Sequence, residues 1–291
     1  MTRLLTAAHL TALDLPPPQF IEAAAGAGFD GVGLRLIQVT PTTPGYALDR
    51  DPALMRATRA ALSATGIFVH DIEFVKLTPG IDLAALDGFL DAGAELGARQ
   101  VITAPYDPDL NRLSDTLAAF ASRARKRGLG TVLEFFPWTV VADLAAALRV
   151  TDGTGAGVLV DTLHFDRSGS SLDELRAVTP TRLPFAHLCD AMVHPPYSES
   201  DLLLAARAER LPPGDGQIDL RAILGALPAD LPLGLEVPMS ALAAAVGPET
   251  VLWRVRERAT RFLEGDQAAP ATGAANDHVA LEHKGTPQTR P

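Results

Sequence analysis

Cysteine is nearly absent from this sequence. Cys189 is the single cysteine among 291 residues, so no disulfide can form within the chain, and nothing points to an oxidising compartment. Long apolar runs are missing as well, because no stretch approaches the roughly 20 residues of a membrane-spanning helix. The apolar segment 4–10 is interrupted by Thr6 and His9, which favours a strand over the core of a signal peptide. We therefore expect a cytoplasmic protein that does not bind membranes.

Positive charge is scarce too. The chain has 25 Lys plus Arg against 35 Asp plus Glu, a net charge of −10, and such a field repels phosphate backbones unless a basic patch overrides it. The basic run RARKR at 123–127 fits the solvated end of a helix, where cations complement the helix dipole. Nucleic acid is therefore not an expected partner.

Hydrophobic residues make up 47% of the chain, enough for a large core, and they alternate between two patterns. Eight short apolar runs predict strands at 4–10, 31–36, 68–74, 100–104, 131–136, 157–163, 185–191 and 233–237. Eight segments with helical spacing predict helices at 19–27, 52–65, 83–96, 115–127, 141–150, 171–178, 219–227 and 249–264.

Eight strand-then-helix units predict a parallel sheet closed into one (β/α)₈ TIM barrel over residues 1–265. The alternative is an open doubly wound sheet, which would carry a Gly-rich phosphate turn after strand one if it bound a dinucleotide. The sequence TALD stands there instead, at 11–14. Residues 266–291 have no aromatic residue and no periodic apolar face, so we expect a disordered C-terminal tail.

Polar side chains interrupt four consecutive predicted strands, and in such barrels the chemistry lies at the carboxyl ends of the strands. These residues are Glu134, Asp161, His187 and Glu236. Three carboxylates at one barrel mouth would raise each other's pKa values unless a cation neutralised them. A divalent metal ion resolves this conflict. The donor set suits Mn²⁺, Mg²⁺ or Co²⁺ and does not exclude Zn²⁺.

A purely structural alternative exists for the same residues. The carboxylates could form ion pairs with Arg35, Arg210 or Lys76 at the same mouth, although such a network does not need a histidine on the neighbouring strand.

Six motifs in order carry a family resemblance: GFDGVGLRL (28–36), LEFFPW (133–138), GVLVDTLHFDRSG (157–169), AHLCDA (186–191), RLPPGDGQIDL (210–220) and LEVP (235–238). Over residues 3–265 the chain resembles the sugar phosphate isomerase/epimerase family of xylose isomerase-like TIM barrels. The resemblance implies a metal ion held by the four strand-end residues and proton exchange with substrate by Glu134 and Glu236. It also implies that His164 and Arg210 contact substrate oxygens.

One departure stands out. Many relatives carry Glu where this chain has Gly33, so any contact made by that carboxylate is missing here. A three-metal DNA-repair branch of the same superfamily uses many more histidine ligands, which this acidic chain lacks. We do not expect that activity.

Other polar residues receive smaller roles. Glu73 on strand three and Trp138 after strand five are expected near the mouth, as a substrate contact and a pocket wall, with packing as the alternative for each. His70 has the opposite parity to Glu73, so we expect it to face the helices. His9 is a weak pocket candidate, and Asp190 is a candidate for orienting a metal ligand.

The segment 193–217 is long for a connection inside a compact domain. Because loops of that length are usually functional, we interpret it as a lid or substrate clamp, with a surface insertion as the alternative.

These features predict a metal-dependent isomerase or epimerase that acts on a sugar or polyhydroxy ketone through an enediolate. Two alternatives stay open. The same intermediate could lose a β-hydroxyl, which would make the protein a dehydratase of a cyclic keto-polyol such as inosose or dehydroshikimate. Alternatively, the barrel could be inert and bind a sugar or a protein partner. An oligomer is possible in each case.

Overall fold

Eight parallel strands close into a barrel. The computed structural model describes residues 3–265, and its strands follow one another around the barrel in chain order, with β8 pairing back to β1. They are β1 Leu5–Ala7, β2 Gly31–Arg35, β3 Phe68–Leu77, β4 Gln100–Pro105, β5 Gly130–Glu134, β6 Gly157–Asp161, β7 Ala186–Leu188 and β8 Leu233–Leu235. The predicted (β/α)₈ barrel is confirmed. The predicted tail, residues 266–291, lies outside the described residues.

Eleven α-helices occur within residues 3–265. They are α1 Pro17–Gly26, α2 Pro52–Thr65, α3 Asp87–Glu95, α4 Leu110–Arg125, α5 Leu144–Val150, α6 Thr162–Ser168, α7 Leu172–Ala177, α8 Glu199–Ala208, α9 Leu220–Ala226, α10 Ser240–Val246 and α11 Pro248–Glu264. The short helices α6, α8 and α10, at the carboxyl ends of β6, β7 and β8, are additions to the predicted set. In this part of the chain, no helix is long and apolar enough to cross a bilayer.

Local sequence accounts for the ends of the outer helices. At the start of α2, the Asp51 side chain accepts hydrogen bonds from the backbone N–H groups of Ala53 and Leu54, and Pro52 occupies the first turn. The helix ends at Gly66, whose φ of 76° suits a residue without a Cβ. A cap of this kind typically contributes about 1 kcal/mol.

An apolar cluster fills the barrel below its carboxyl end. Ile102, Val132, Leu159 and Phe185 are fully buried and come from four neighbouring strand segments. Because side chains alternate with a period of two, the residues two positions after the last three of these point into the same interior. Those residues are Glu134, Asp161 and His187, so the strand pattern itself places polar groups above an apolar floor.

The prediction that His70 faces the helices is wrong. Val32 pairs with Val69 but Gly33 pairs with Asp71, so His70 is an extra residue in β3 and the alternation of side chains changes there. The His70 ring lies 4.6 Å from the ring of Phe185, on the interior side. The same bulge brings the Asp71 carboxylate into the space that a side chain at position 33 would occupy.

His9 is a structural residue, not part of the pocket. It lies in the short 3₁₀ turn His9–Ala12, and its ring stacks between Phe20 at 4.4 Å and Tyr46 at 5.3 Å. Nε2 is 2.9 Å from the Leu15 carbonyl oxygen, to which it donates, and Nδ1 accepts the backbone N–H of Arg35 at 3.0 Å. The neutral imidazole therefore joins the ends of β1 and β2.

Replacing His9 by Gln is expected to flatten the acid dependence of stability. Burial lowers the pKa of His9 from 6.5 to about 3, so below pH 6.5 the unfolded chain binds a proton that the folded chain refuses. The contribution of His9 to the free energy of unfolding is complete above pH 6.5. Between pH 6.5 and pH 3 it decreases by about 1.4 kcal/mol per pH unit. Urea unfolding at several pH values measures the slope.

The exposed His194 provides the control, because its imidazole is already in contact with water. His194→Gln should keep the wild-type slope. An unchanged slope in His9→Gln would contradict the assignment of a neutral, buried His9.

Candidate metal centre

Four buried side chains meet at the carboxyl end of the barrel. One donor atom from each of Glu134, Asp161, His187 and Glu236 lies within 4.8 Å of the others. Glu134 and Asp161 are the last residues of β5 and β6, His187 lies within β7, and Glu236 directly follows β8. The structure thus brings together the four residues that the sequence selects.

Asp161 has a double function, which also explains an error in the predicted strand. Its Oδ1 accepts the backbone N–H groups of Leu163 at 2.7 Å and His164 at 3.2 Å, so Asp161 is the N-cap of α6. The chain therefore turns into a helix at Thr162 instead of continuing as a strand to 163. Oδ2 stays directed into the cluster.

His187 is placed by a close approach to the neighbouring strand. It pairs with Gly234 of β8, and a Cβ on Gly234 would come within 2.8 Å of Cδ2 of the imidazole. Only glycine leaves room for the ring. Nδ1 lies 3.9 Å from Oδ2 of Asp161 and 3.8 Å from Oε2 of Glu236, and neither ring nitrogen has a hydrogen-bond partner among residues 3–265.

Arg210 enters the same cluster from the long β7–α9 connection. Its guanidinium contacts Oδ2 of Asp161 at 2.5 Å and Oε2 of Glu236 at 2.7 Å, and it is 2% exposed. The structural alternative, in which the carboxylates form ion pairs with nearby cations, is thus correct for Arg210. Arg35 pairs instead with Glu73, at 3.2 Å.

The segment that carries Arg210 is ordered, and it includes α8 instead of being a plain loop. The Arg210 N–H donates to the Pro238 carbonyl after β8, and Leu211 exchanges two backbone hydrogen bonds with Asp190 after β7. Arg210 is therefore held by the ends of two adjacent strands.

The expectation that Asp190 orients a metal ligand is wrong. Its two carboxylate oxygens accept four backbone N–H groups, from Ala191, Gly214, Gly216 and Ile218, at 2.8 to 3.0 Å. Asp190 thus fixes the PPGDGQ turn that follows Arg210.

The carboxylates of the cluster differ in electrostatic environment. Burial raises the pKa of Glu134 well above its usual value, and the charges of Glu236 and Asp161 raise it further. Burial alone would also raise the pKa of Asp161, but the charge of Arg210 and the hydrogen bond that Arg210 donates outweigh it and lower the pKa to about 2. Glu134 is therefore the carboxylate for which Arg210 provides least compensation.

The donor set fits a divalent cation. Ligands about 2.0 to 2.2 Å from one ion lie about 3 to 4.4 Å from each other, close to the spacing found here. Oε1 of Glu134 and both His187 nitrogens are buried without a hydrogen-bond partner in the described chain, a costly arrangement that a metal ion would relieve. Relatively small side-chain shifts would complete the coordination.

A cavity of about 270 Å³ opens beside the cluster. Glu134, Glu236, His164, Trp138 and Arg210 line it. His164 is buried with Nε2 3.7 Å from Oε1 of Glu134, and burial lowers its pKa to about 3, so the imidazole is neutral.

Two further predicted site residues have different surroundings. Glu73 does not line this cavity, since it is 1% exposed and contacts Arg35, which does. Burial raises its pKa to about 7, although Arg35 opposes the shift. Trp138 stacks on Phe136 at 5.0 Å and forms part of the wall.

The cavity rim contains residues that the sequence did not select. Lys76, near the end of β3, was expected at this mouth only as a possible ion-pair partner of the carboxylates. Arg207, one turn before Arg210, was not expected there, and neither were Thr40, Thr43 and Tyr106, which come from two other connections. Lys76 and Arg207 are 131 positions apart, so no linear motif joins them. One available signal was the i, i+3 spacing of Arg207 and Arg210.

Comparisons with known proteins agree with this architecture. A family model described as a xylose isomerase-like TIM barrel matches residues 21–255. The crystal structure of the IolI protein with a bound zinc atom superposes with a TM-score of 0.72, at 17% identity over 91% of this chain and 99% of that one. No curated protein sequence matches significantly.

Two further structures carry named activities. The probable 3-DHS dehydratase AsbF of petrobactin synthesis from Bacillus anthracis has a TM-score of 0.66, at 13% identity over 89% of this chain and 99% of that one. An L-ribulose 3-epimerase has a TM-score of 0.62, at 16% identity over 90% of this chain and 94% of that one. At these identities the likeness concerns the fold.

Glu134→Gln is expected to abolish stabilisation by divalent ions without weakening the metal-free protein. The variant removes the carboxylate whose pKa is raised, and so removes repulsion while losing a ligand. Thermal or urea unfolding of chelator-treated protein, with and without Mn²⁺, Mg²⁺, Co²⁺ or Zn²⁺, measures both effects. An ion at 100 times its Kd should stabilise wild type by about 2.7 kcal/mol.

The control is Glu209→Gln, an exposed carboxylate beside Arg210 that should retain the full metal response. A Glu134→Gln protein that is still stabilised like wild type would remove Glu134 from the metal site.

Arg210→Met is expected to destabilise the metal-free protein by about 3 to 5 kcal/mol, because two buried carboxylates lose their partner. A divalent ion should restore more stability in this variant than in wild type, since it replaces the missing charge. Unfolding with and without metal measures the difference. In Arg35→Met the lost partner belongs to Glu73, which is not one of the four clustered residues, so metal should restore less stability there than in Arg210→Met.

Proposed function

This chain belongs to the family of xylose isomerase-like TIM barrels, and on that premise we propose that it is a divalent-metal-dependent isomerase or epimerase of a sugar or polyhydroxy ketone. The observation that carries the proposal is the convergence of Glu134, Asp161, His187 and Glu236 beside a cavity that two of them line. An inert barrel would have no need to retain four buried donors at such a cost.

The proposed acid–base residues are Glu134 and Glu236. They come from β5 and from the end of β8, three strands apart in the barrel, and both line the cavity. A substrate between these two segments would have a carboxylate on either side. One carboxylate would accept the proton from a substrate carbon, and either could return it.

A bound divalent ion would be held by Glu134, Asp161, His187 and Glu236, and it would polarise the substrate carbonyl and stabilise the enediolate charge. Arg210 would donate hydrogen bonds to substrate oxygen from a guanidinium already fixed by two carboxylates. The neutral His164 can both donate and accept a hydrogen bond at the same wall.

The fate of the proton distinguishes the possible reactions. Return to the same carbon from the opposite face gives an epimer, and return to the neighbouring carbon converts ketose and aldose. Loss of a β-hydroxyl group gives dehydration, the second candidate. That candidate is supported by the similarity to a structure named as a probable 3-DHS dehydratase.

The test is incubation of the metal-loaded protein in D₂O with ketoses, inososes and dehydroshikimate. We expect deuterium at one substrate carbon, with a new isomer as product. Enone absorbance would assign the protein to dehydration instead. No exchange with any member of the panel, despite a bound ion, would support the inert barrel.

Glu134→Asp and Glu236→Asp test the proton-transfer role separately from metal binding. Each keeps the charge and ligand type but withdraws the carboxylate by one methylene, and such a misplacement costs about 10²-fold in rate. We expect that loss in kcat at saturating metal, with metal content unchanged by elemental analysis. Glu209→Asp is the matched control and should keep wild-type kcat. Full activity in both variants would exclude these carboxylates as proton carriers.

A further inference from the structure

The cavity beside the metal centre is positively charged at its rim, although the chain as a whole carries −10. Its lining includes four cationic residues, Arg35, Lys76, Arg207 and Arg210. The lining carboxylates are Glu134 and Glu236, both of which belong to the four-residue cluster. The question is which of the four cations are already neutralised.

Two of these cations have carboxylate partners. Arg210 contacts Asp161 and Glu236, and Arg35 contacts Glu73, as described above. Both arginines are buried, so their charges are part of the internal balance of the barrel. They add little net positive charge for a ligand.

Among the described residues, Lys76 and Arg207 have no such partner. Within residues 3–265, no carboxylate lies within ion-pair distance of either side chain. Nζ of Lys76 donates one hydrogen bond, at 2.7 Å, to the Val39 carbonyl, and lies 5.0 Å from the centre of the Tyr106 ring. Arg207 projects from α8 at the exposed side of the same cavity.

The two cations lie close enough to affect each other. The pKa of Lys76 is lowered, first by burial and then by the charges of Arg207 and Arg35. Two neighbouring cations without a counter-charge repel each other, and a bound anion would relieve that repulsion. The Thr40 and Thr43 hydroxyls, 2.7 Å apart at the same rim, offer further hydrogen bonds to anionic oxygens.

We propose that Lys76 and Arg207 form an anion subsite, so that the substrate is a polyhydroxy ketone bearing a carboxylate or phosphate group at the end remote from the metal centre. The proposal rests on the function proposed above for the reacting end of the substrate. It also specifies that the substrate is negatively charged, which the four strand-end residues do not indicate.

A simpler role for Lys76 is to anchor the β2–α2 connection through Val39. That role uses one of three ammonium hydrogens and gives no reason for Arg207 to lie at the same rim. An anchor also predicts equal effects on neutral and charged ligands. The two roles therefore make different predictions for binding.

The experiment compares three six-carbon probes, fructose, fructose 6-phosphate and 5-ketogluconate, on metal-loaded full-length protein. The chain has two tryptophans, and Trp253 is 56% exposed on α11, so Trp253→Phe leaves Trp138 in the cavity wall as the reporter. We expect at least one anionic probe to bind about tenfold or more tightly than fructose, and added salt to weaken that preference. The tighter anion identifies carboxylate or phosphate as the group.

The K76Q/R207Q double variant should bind all three probes with nearly equal affinity. This comparison also separates the subsite from direct binding of an anion to the metal, which the double variant would retain. Lys126→Gln removes one exposed charge on the turn after α4, far along the chain from the rim, and should leave the preference intact.

Equal affinity for all probes, no anion-dependent change in Trp138 emission, or a preference that survives in K76Q/R207Q would each overturn the proposal. Deuterium incorporation tests the proposed reaction independently of the anion subsite. Absence of deuterium incorporation, together with a preserved anion preference, would reject the isomerase and retain the subsite.

Discussion

The repulsion among three carboxylates buried in one barrel mouth is the constraint on which the site depends. Asp161, Glu134 and Glu236 together bring three negative charges into an apolar surrounding, and Arg210 returns one positive charge. The remainder is two negative charges, which a divalent ion would cancel. Without such an ion, burial raises the pKa of Glu134, and the charges of Glu236 and Asp161 raise it further.

This balance makes the connection after β7 part of the candidate metal centre. Arg210 reaches the cluster because its own N–H is bonded to Pro238 and its neighbour Leu211 is paired with Asp190. Asp190 in turn holds four backbone N–H groups of the turn that follows. A segment that resembles a lid by its length is thus tied to two strand ends. The same segment therefore supplies the positive charge that contacts Asp161 and Glu236.

The barrel and the convergence of the four clustered residues could be predicted from the sequence, because both follow from short-range patterns. Alternation with period two, above an apolar floor, places Glu134, Asp161 and His187 in the interior, and strand order places them side by side. The errors arise where a local hydrogen bond or a bulge breaks the pattern. Asp161 caps α6 and ends the strand early, and the extra residue in β3 turns His70 inward.

The charge of the cavity rim could not be predicted from the sequence, because it depends on which charged side chains have no partner of opposite charge. The sequence does not show which of Arg35, Lys76, Arg207 and Arg210 are paired, yet among residues 3–265 two of them contact buried carboxylates and two do not. That distinction appears only when side chains from different strands and connections are placed together. Pairing, and not the number of cations, decides where an anion would be attracted.

Charge at the rim and charge at the centre then have separate roles. Once a divalent ion and Arg210 balance the three carboxylates, the floor of the cavity offers no net charge to a ligand, and Lys76 and Arg207 dominate the local field. The acidic exterior repels anions at long range, but salt limits that repulsion to about 8 to 10 Å. Holding two cations together without a counter-ion costs free energy, and a neutral sugar would not recover it. A substrate that carries its own negative charge would recover that free energy. It would also be oriented with its charge at the rim and its carbonyl toward the four clustered residues.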